Sequence, residues 1–392
     1  MSAIAGLVSE TMTFSRQQEQ AASPAGALLM HRVEGAYWDS VVGSFDGVCQ
    51  EQLHGFAAIR WPGVTLEPNL FARDGRIVGG ALIMVQKLPL GVGRIALAKW
   101  APMLADMHAE DAPAIYAGMI DALVSDYANK RGMMLSILPH TSAAPVNGDY
   151  LALRARGFRR GFALTYPHRY LVNLRLSDEA QRKSFQQTWR RQLNKSEKAE
   201  LGFEHAGPER LGEFKTLYEA MSDRKQFPDH SAYDTIDQLM GMDEPLRPEL
   251  FFVREGGEIV AGALIFKAGD RAVYLYGATN DRALPLRAGY FMHWHIIRWL
   301  RDHTRANWYD LGGTDGFLGL HQFKKGMVGD AGLIQPVPPV ANYASRPLAF
   351  WLGNAAFGAR EAVNVVKRRI DAVRPGRAKP DQPVPELDDY LR

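Results

Sequence analysis

Ile77-Val-Gly-Gly-Ala-Leu-Ile83 returns 182 positions later as Ile259-Val-Ala-Gly-Ala-Leu-Ile265, and the neighbourhoods of the two copies decide the fold. Each follows a turn, Arg73-Asp-Gly-Arg76 in the first copy and Arg254-Glu-Gly-Gly-Glu258 in the second. Each turn in turn follows an apolar triplet, Leu70-Phe71-Ala72 or Phe251-Phe252-Val253. Two β-prone runs flanking a glycine-containing turn read as a hairpin. Downstream, Ile115, Met119, Leu123 and Tyr127 recur every four residues, and Met292, Ile296, Trp299 and Leu300 mark one apolar face, so a helix follows each hairpin. A strand then follows each helix, Met133-Met-Leu-Ser-Ile-Leu138 and Trp308-Tyr-Asp-Leu311. Three successive elements in one order at one spacing imply a duplicated α/β module, each copy long enough to bury its own core.

The rest of the chain is consistent with that frame. Its 392 residues are 46% hydrophobic and 23% charged, which excludes a disordered or collagen-like chain. A formal net charge of +3 excludes a chain-wide field that demands nucleic acid, so any basic surface must be local. The single Cys49 excludes a disulfide framework and a multi-thiolate zinc site, and reads as a small buried hydrophobe. No metal site is expected. No segment reaches the ~18 consecutive apolar residues of a membrane span, and the first residues lack a basic start followed by an apolar stretch. A cytoplasmic protein is expected, one that touches the inner membrane at most from its surface. The organisation reads as a loose tail over 1–30, a first module over 31–172, a second over 173–340, and a basic helix with an acidic tail over 341–392. The last segment opens on the apolar Pro347-Leu-Ala-Phe-Trp-Leu-Gly-Asn-Ala-Ala-Phe357 and continues through Arg360, Lys367, Arg368, Arg369, Arg374, Arg377 and Lys379. Too short to span a bilayer, it suits lying on one, although packing against the second module is the plainer expectation.

The common catalytic signatures are missing: no Gly-Lys-Ser/Thr phosphate loop, no His-Glu-x-x-His, no Gly-x-Ser-x-Gly. Arg76-Ile-Val-Gly-Gly-Ala81 matches the glycine pattern with which acetyl-coenzyme A enzymes hold a pyrophosphate, but it enters a strand. Such a loop must open a helix whose N-terminus faces the phosphates. The segment 279–289, which does precede a helix, lacks the spacing. Arg182 to Lys198 reads as one helix with Phe185 and Trp189 on an apolar stripe and six basic residues, a local cationic surface that suits either solvent or nucleic-acid phosphates. His293 and His295 read as packing residues, because positions two apart do not share a helix face.

Trp308-Tyr-Asp-Leu-Gly-Gly-Thr-Asp315 followed by Gly319-Leu-His-Gln-Phe-Lys-Lys-Gly326 resembles the late signature of the Fem-type peptidoglycan aminoacyltransferases, with His321 in a tyrosine position and Met327-Val328 where Phe-Gly is common. The resemblance covers about residues 31–335, including Ala101-Pro102 and Leu153-Arg-Ala-Arg-Gly-Phe158. It implies two tandem GNAT-like (acyl-coenzyme A N-acyltransferase) modules, in agreement with the duplication, here followed by a C-terminal helix. It further implies amide formation on a cell-envelope precursor: a UDP- or lipid-linked muropeptide as acceptor and aminoacyl-tRNA as donor, with no tightly bound cofactor. By position Lys324 inherits oxyanion stabilisation, Lys325 a phosphate contact, and Arg224 and Tyr276 the acceptor's phosphate and peptide. Arg190, Arg191 and Lys195 are the candidate tRNA contacts. The structural alternatives are two solvated lysines in a turn, a surface ion pair and a half-buried strand tyrosine. The rival functions are an acyl-coenzyme A-dependent N-acyltransferase acting on an exopolysaccharide precursor, and a GNAT-like binding module without turnover.

Overall fold

The computed structural model describes residues 26–225, 233–373 and 381. Its strands are β1 Leu29–Arg32, β2 Thr65–Arg73, β3 Arg76–Lys87, β4 Arg94–Lys99, β5 Met103–Leu104, β6 Met134–Leu138, β7 Arg159–Arg160, β8 His168–Asn173, β9 Gly202–Ala206, β10 Glu249–Glu255, β11 Glu258–Phe266, β12 Arg271–Thr279, β13 Trp308–Asp310, β14 Leu333–Pro336 and β15 Ala341–Tyr343. The helices are α1 Gly35–Val42, α2 His54–Arg60, α3 Ala112–Leu123, α4 Gly148–Ala155, α5 Asp178–Ser184, α6 Gln187–Ser196, α7 Leu211–Lys225, α8 Ile236–Met240, α9 Ala283–Leu286, α10 Ala288–His303, α11 Leu318–Val328 and α12 Pro347–Val373.

The duplication is visible in the sheets. One runs β1-β2-β3-β4-β6-β15-β7, with β5 pairing β3, and the other β14-β8-β13-β12-β11-β10-β9. The repeated heptapeptide is the core of β3 and of β11, and each pairs antiparallel with the strand before it and the strand after it. From Gly79 to Ile83 and from Val260 to Ile265 the heptapeptides are buried on both faces, which is why they read as near-continuous apolar runs, whereas Ile77 at the start of the first is exposed. In each copy the hairpin strand then runs parallel to the strand that follows the helix, β4 with β6 and β12 with β13. The chain is therefore two tandem GNAT-like α/β modules.

Three boundaries differ from the sequence reading. The seam expected at 172/173 cuts through β8, which pairs β13 and β14 and so belongs wholly to the second sheet. The tail expected to reach residue 30 ends earlier, because β1 pairs β2 from Leu29. The segment from 341 begins with β15, which returns to the first sheet between β6 and β7. The helix expected over 182–198 is broken: Phe185 is extended (φ −60°, ψ 147°) between α5 and α6. The break has a cause in the neighbouring turn, where Asp330 donates its backbone N–H to Ser184 O and the Gly329 backbone crosses so closely that a Cβ there would sit 2.0 Å from that oxygen. The Phe185 and Trp189 rings still meet, with centroids 4.3 Å apart. The C-terminal α12 packs not on the second module but on the first, through Phe350, Leu352, Ala356 and Phe357 against Leu88, Ile95 and Met134.

The modules are fastened by polar bonds as well as by a shared apolar cluster that joins Trp38, Phe45 and Leu82 to Phe266 and Val273. Arg305 donates to Asp46 Oδ1 (2.6 Å), Ser44 O (2.7 Å) and Phe45 O (3.0 Å), and Gly47 N donates to Asp270 Oδ1 (2.7 Å). Both carboxylates are buried, so these charge-assisted bonds also satisfy groups that would otherwise cost free energy.

Candidate functional site

The two copies diverge where the parallel strands end. In the first, β4 and β6 stay paired from Ile95/Met134 to Lys99/Leu138, and Trp100 N continues the ladder onto Leu138 O (2.7 Å). In the second, β12 and β13 pair only from Arg271/Trp308 to Val273/Asp310. Beyond that, β12 runs on beside β11 to Thr279, while Leu311 N turns to Tyr170 O and Gly312 takes a left-handed φ of 76°. The two strands splay, leaving a mouth between them with backbone groups on its rim.

Lys324 reaches that rim from α11. Its Nζ donates to Leu311 O (2.6 Å) and Gly313 O (2.5 Å), and a Cβ on Gly312 would lie 3.9 Å from it. An ammonium has three N–H donors and two are used here, so one remains. Burial, and then the Arg169 charge, lower the Lys324 pKa to about 8, against the opposing pull of Asp315 and Asp310. At neutral pH the group is still roughly nine-tenths protonated. The sequence alternative of a solvated turn does not hold for Lys324, which lies within a helix and part-buried; Lys325, one position on, is exposed.

A cavity of about 890 Å³ lies between the modules, walled by residues from both, among them Val273 and Asp310 of the splayed strands but neither Lys324 nor the residues whose carbonyls hold it. On its floor Arg169 of β8 grips Asp310 of β13 with Nε at 3.1 and 3.2 Å from the two carboxylate oxygens and Nη2 at 2.9 Å from Oδ2. Burial pushes the Asp310 carboxyl up, but Arg169, Arg271 and the Gly312 N–H (2.9 Å) together hold it below its ordinary value. Opposite, Lys99 pairs with Glu51 (2.8 Å), whose other oxygen takes the Trp100 indole N–H. The His140 ring stacks on Trp100 with centroids 5.5 Å apart, and burial followed by the Arg271 charge lowers its pKa to about 3, so it is neutral. Gln50 Oε1, His140 Nε2, Thr141 Oγ1 and Arg271 Nε, all on residues lining this cavity, have no hydrogen-bond partner. That is an unusual concentration of unsatisfied buried polar atoms in one wall. Cys49, also on the wall, is buried as expected, and burial pushes its thiol up to about 12, which leaves it unreactive.

The other sequence candidates are dispersed. Tyr276 belongs to the cluster between the second sheet and α7, with Phe214, Phe252 and Leu264. A bulge decides this: Leu264 pairs Tyr276 and Ile265 pairs Tyr274, so Leu275 is an extra residue, and Tyr276 faces away from the side on which Tyr274 meets His293. Tyr276 is almost fully buried and hydrogen-bonds Thr235, a core tyrosine with its hydroxyl satisfied. Arg224 is helical in α7, and its side chain lies outside the described residues. Arg190 donates to Lys183 O (2.6 Å) and Phe185 O (2.7 Å), sealing the break between α5 and α6, whereas Arg191 and Lys195 are exposed one helical turn apart. His293 is buried, with Nδ1 3.1 Å from the Tyr309 hydroxyl, and His295 stacks on Phe203, both as packing residues. Arg76 to Ala81 lies within β3, so its glycines serve a strand and not a phosphate.

Sequence reasoning missed Arg169, His140 and Arg271. A signal existed for the first: a charged residue two positions before Leu171 in a buried strand shares that residue's face, and Asp310, registered against Leu171, is its natural partner.

A family model described as an acetyltransferase (GNAT) domain matches residues 183–325, which ends on the Lys324-Lys325 pair. Among curated proteins, the chain is 28% identical over 108 residues to a lipid II:glycine glycyltransferase of Staphylococcus epidermidis, covering 27% of this chain and 25% of that protein. It is 34% identical over 76 residues to the Staphylococcus aureus protein of the same description, covering 18% of each. These matches span about a quarter or less of the length of those relatives. Among solved structures, that of FemX superposes with a TM-score of 0.67 at 17% identity, covering 83% of this chain and 100% of that one.

Proposed function

We propose, from the premise that the chain belongs to the Fem-type family of tandem GNAT folds, that it forms an amide by transferring an aminoacyl group from tRNA to an amine of a lipid-linked muropeptide. The observation that carries this reading is the Lys324 ammonium, fixed by two carbonyls at the mouth of the splayed β12–β13 pair with one N–H unspent. The amine nitrogen attacks the ester carbonyl carbon, the C–N bond forms, and the C–O bond to the tRNA ribose breaks. The proton lost by the amine balances the one gained by the released ribose hydroxyl. Lys324 donates to the oxyanion of the tetrahedral intermediate, where a preorganised donor is worth about 2.7–4 kcal/mol. Support for the acceptor comes from the staphylococcal relatives described as acting on lipid II. Support for tRNA over a thioester comes from the absence of a glycine phosphate loop ahead of α10 and from the exposed Arg191 and Lys195.

Binding of tRNA should fall steeply with salt, and Arg191→Gln with Lys195→Gln should flatten the log–log slope by about one unit per lost phosphate contact. Arg190→Gln tests something else: its guanidinium is held by backbone carbonyls, so its loss should lower the melting temperature and leave the slope unchanged. Amide formed from acetyl-coenzyme A alone would reject the tRNA donor and favour a thioester-dependent transferase acting on a sugar amine.

A further inference from the structure

α12 is 27 residues long and has two apolar sides, only one of which is covered. Its inner side is packed: Phe350, Leu352, Ala356 and Phe357 lie on the first module, and at Gly353 a Cβ would come 2.3 Å from Met134. On the other side Leu348, Trp351, Ala355, Ala359, Ala362 and Val366 follow one another at intervals of three and four, the spacing of a single helix face. All six are exposed, with Leu348 at 67%, Trp351 at 68% and Val366 at 55%, and Val363 beside the stripe is 53% exposed. At 1.5 Å per residue the stripe is about 27 Å long. No other helix of the described residues carries such a line of exposed large hydrophobic side chains.

Charge says what covers it. Between 346 and 379 the sequence holds eight Lys and Arg residues against Glu361 and Asp371, whereas the whole chain carries a net charge of only +3. The positive excess of the protein is thus concentrated on and just after this helix. A second copy would bring the same basic segment against itself, while an anionic lipid surface complements it and also takes the apolar stripe. The described residues contain no helix long and apolar enough to cross a membrane.

We propose that the outer face of α12 is a docking surface for an anionic bilayer, with Leu348 and Trp351 as the inserted anchors and the net positive charge of the 346–379 sequence as the electrostatic attraction. Phe357, Arg360 and Glu361 of the same helix line the inter-module cavity. Docking of the outer face would therefore hold the cavity, which borders this helix, within about a helix diameter (~10–12 Å) of the lipid headgroups, near where a lipid-linked acceptor would present its polar part. The inference adds to the transfer reading and does not depend on it, because binding is read without turnover.

The test is co-sedimentation of the full chain with vesicles of phosphatidylcholine alone and of phosphatidylcholine with about 30 mol% phosphatidylglycerol. The parent should pellet at least about tenfold more strongly with the anionic vesicles, and less so at high salt. Leu348→Asp with Trp351→Asp should cut that binding about tenfold without moving the melting temperature, since both side chains are solvent-exposed. Replacing Lys367, Arg368 and Arg369 by Gln should weaken it and remove most of its salt dependence. Equal recovery in the supernatant with both vesicle types would overturn the proposal, as would binding that survives the double aspartate variant. A dimer by light scattering that the double variant dissolves would assign the stripe to a second copy instead. Failure of these arms leaves amide transfer to a detergent-solubilised acceptor intact, and failure of that transfer leaves vesicle binding intact.

Discussion

Replacing Lys324 by Met tests the geometry of the candidate site at its centre. The substitution keeps most of the aliphatic volume and removes the ammonium, with two separable consequences. The carbonyls of Leu311 and Gly313 lose a charged donor at 2.6 and 2.5 Å. A buried acceptor left without a partner costs about 1–3 kcal/mol, and at roughly 2–4 °C per kcal/mol for a module of this size the melting temperature should fall by several degrees. The loss of the unspent N–H should act only on turnover, by about 100- to 1000-fold, with little change in the Michaelis constant for the acceptor. Single-turnover transfer measured well below the melting transition separates the two effects. The pH profile supplies an independent check. The Lys324 ammonium is the active form while the attacking acceptor amine must be neutral, so the parent's rate should rise as that amine deprotonates and then decline as the pH passes through the Lys324 pKa of about 8. In Lys324→Arg that decline should vanish, because a guanidinium stays protonated across the range. A folded Met variant that turns over within about threefold of the parent would refute the oxyanion role.

Three further expectations concern the framework. Arg169→Leu removes the forked partner of the buried Asp310 carboxylate and leaves it only the Arg271 charge and the Gly312 N–H, so urea unfolding should register a loss of up to about 3–5 kcal/mol, while a loss below about 1 kcal/mol would show that the pair is solvated. His140 is neutral when folded, with a pKa of about 3 against 6.5 unfolded, so between those values the unfolded chain binds the extra proton. Stability should therefore fall as the pH drops below 6.5, and His140→Gln should make that fall shallower; an unchanged slope would place the ring in solvent. Gly329→Ala forces a Cβ into Ser184 O at a φ of 60° and ψ of −152°, a region open essentially to glycine, and should prevent or strongly weaken folding, whereas the nearby exposed Gly319→Ala should be almost silent.

The duplication was legible because its repeated elements are local. A hairpin, a helix and a strand each announce themselves by periodicity within fifteen residues. β15 was not, because its three residues have too little pattern to be heard and its partners β6 and β7 lie some 180 residues or more upstream. The break at Phe185 was hidden for a different reason: the four-residue spacing of Phe185 and Trp189 imitates a helix, while the crossing turn that breaks it is more than 140 residues away in sequence. Within the site, Lys324 was marked by its motif, although the pair of carbonyls that holds it was not. The cavity left no trace, since Gln50, His140, Thr141 and Arg271 have no local pattern in common and meet only when the modules close on each other. Tyr276 shows the converse. Its strand was read correctly, yet a single extra residue at Leu275 turned its side chain to the other face.

The central claim is chemical, and the mass of the acceptor tests it most directly. The full-length protein is incubated with a lipid-linked muropeptide bearing a free amine, together with charged tRNA in one arm and acetyl-coenzyme A in the other, and the intact acceptor is weighed by mass spectrometry. Transfer from tRNA should leave the acceptor heavier by one aminoacyl residue in the tRNA arm and unchanged in the thioester arm. An acceptor unchanged in the tRNA arm would contradict it.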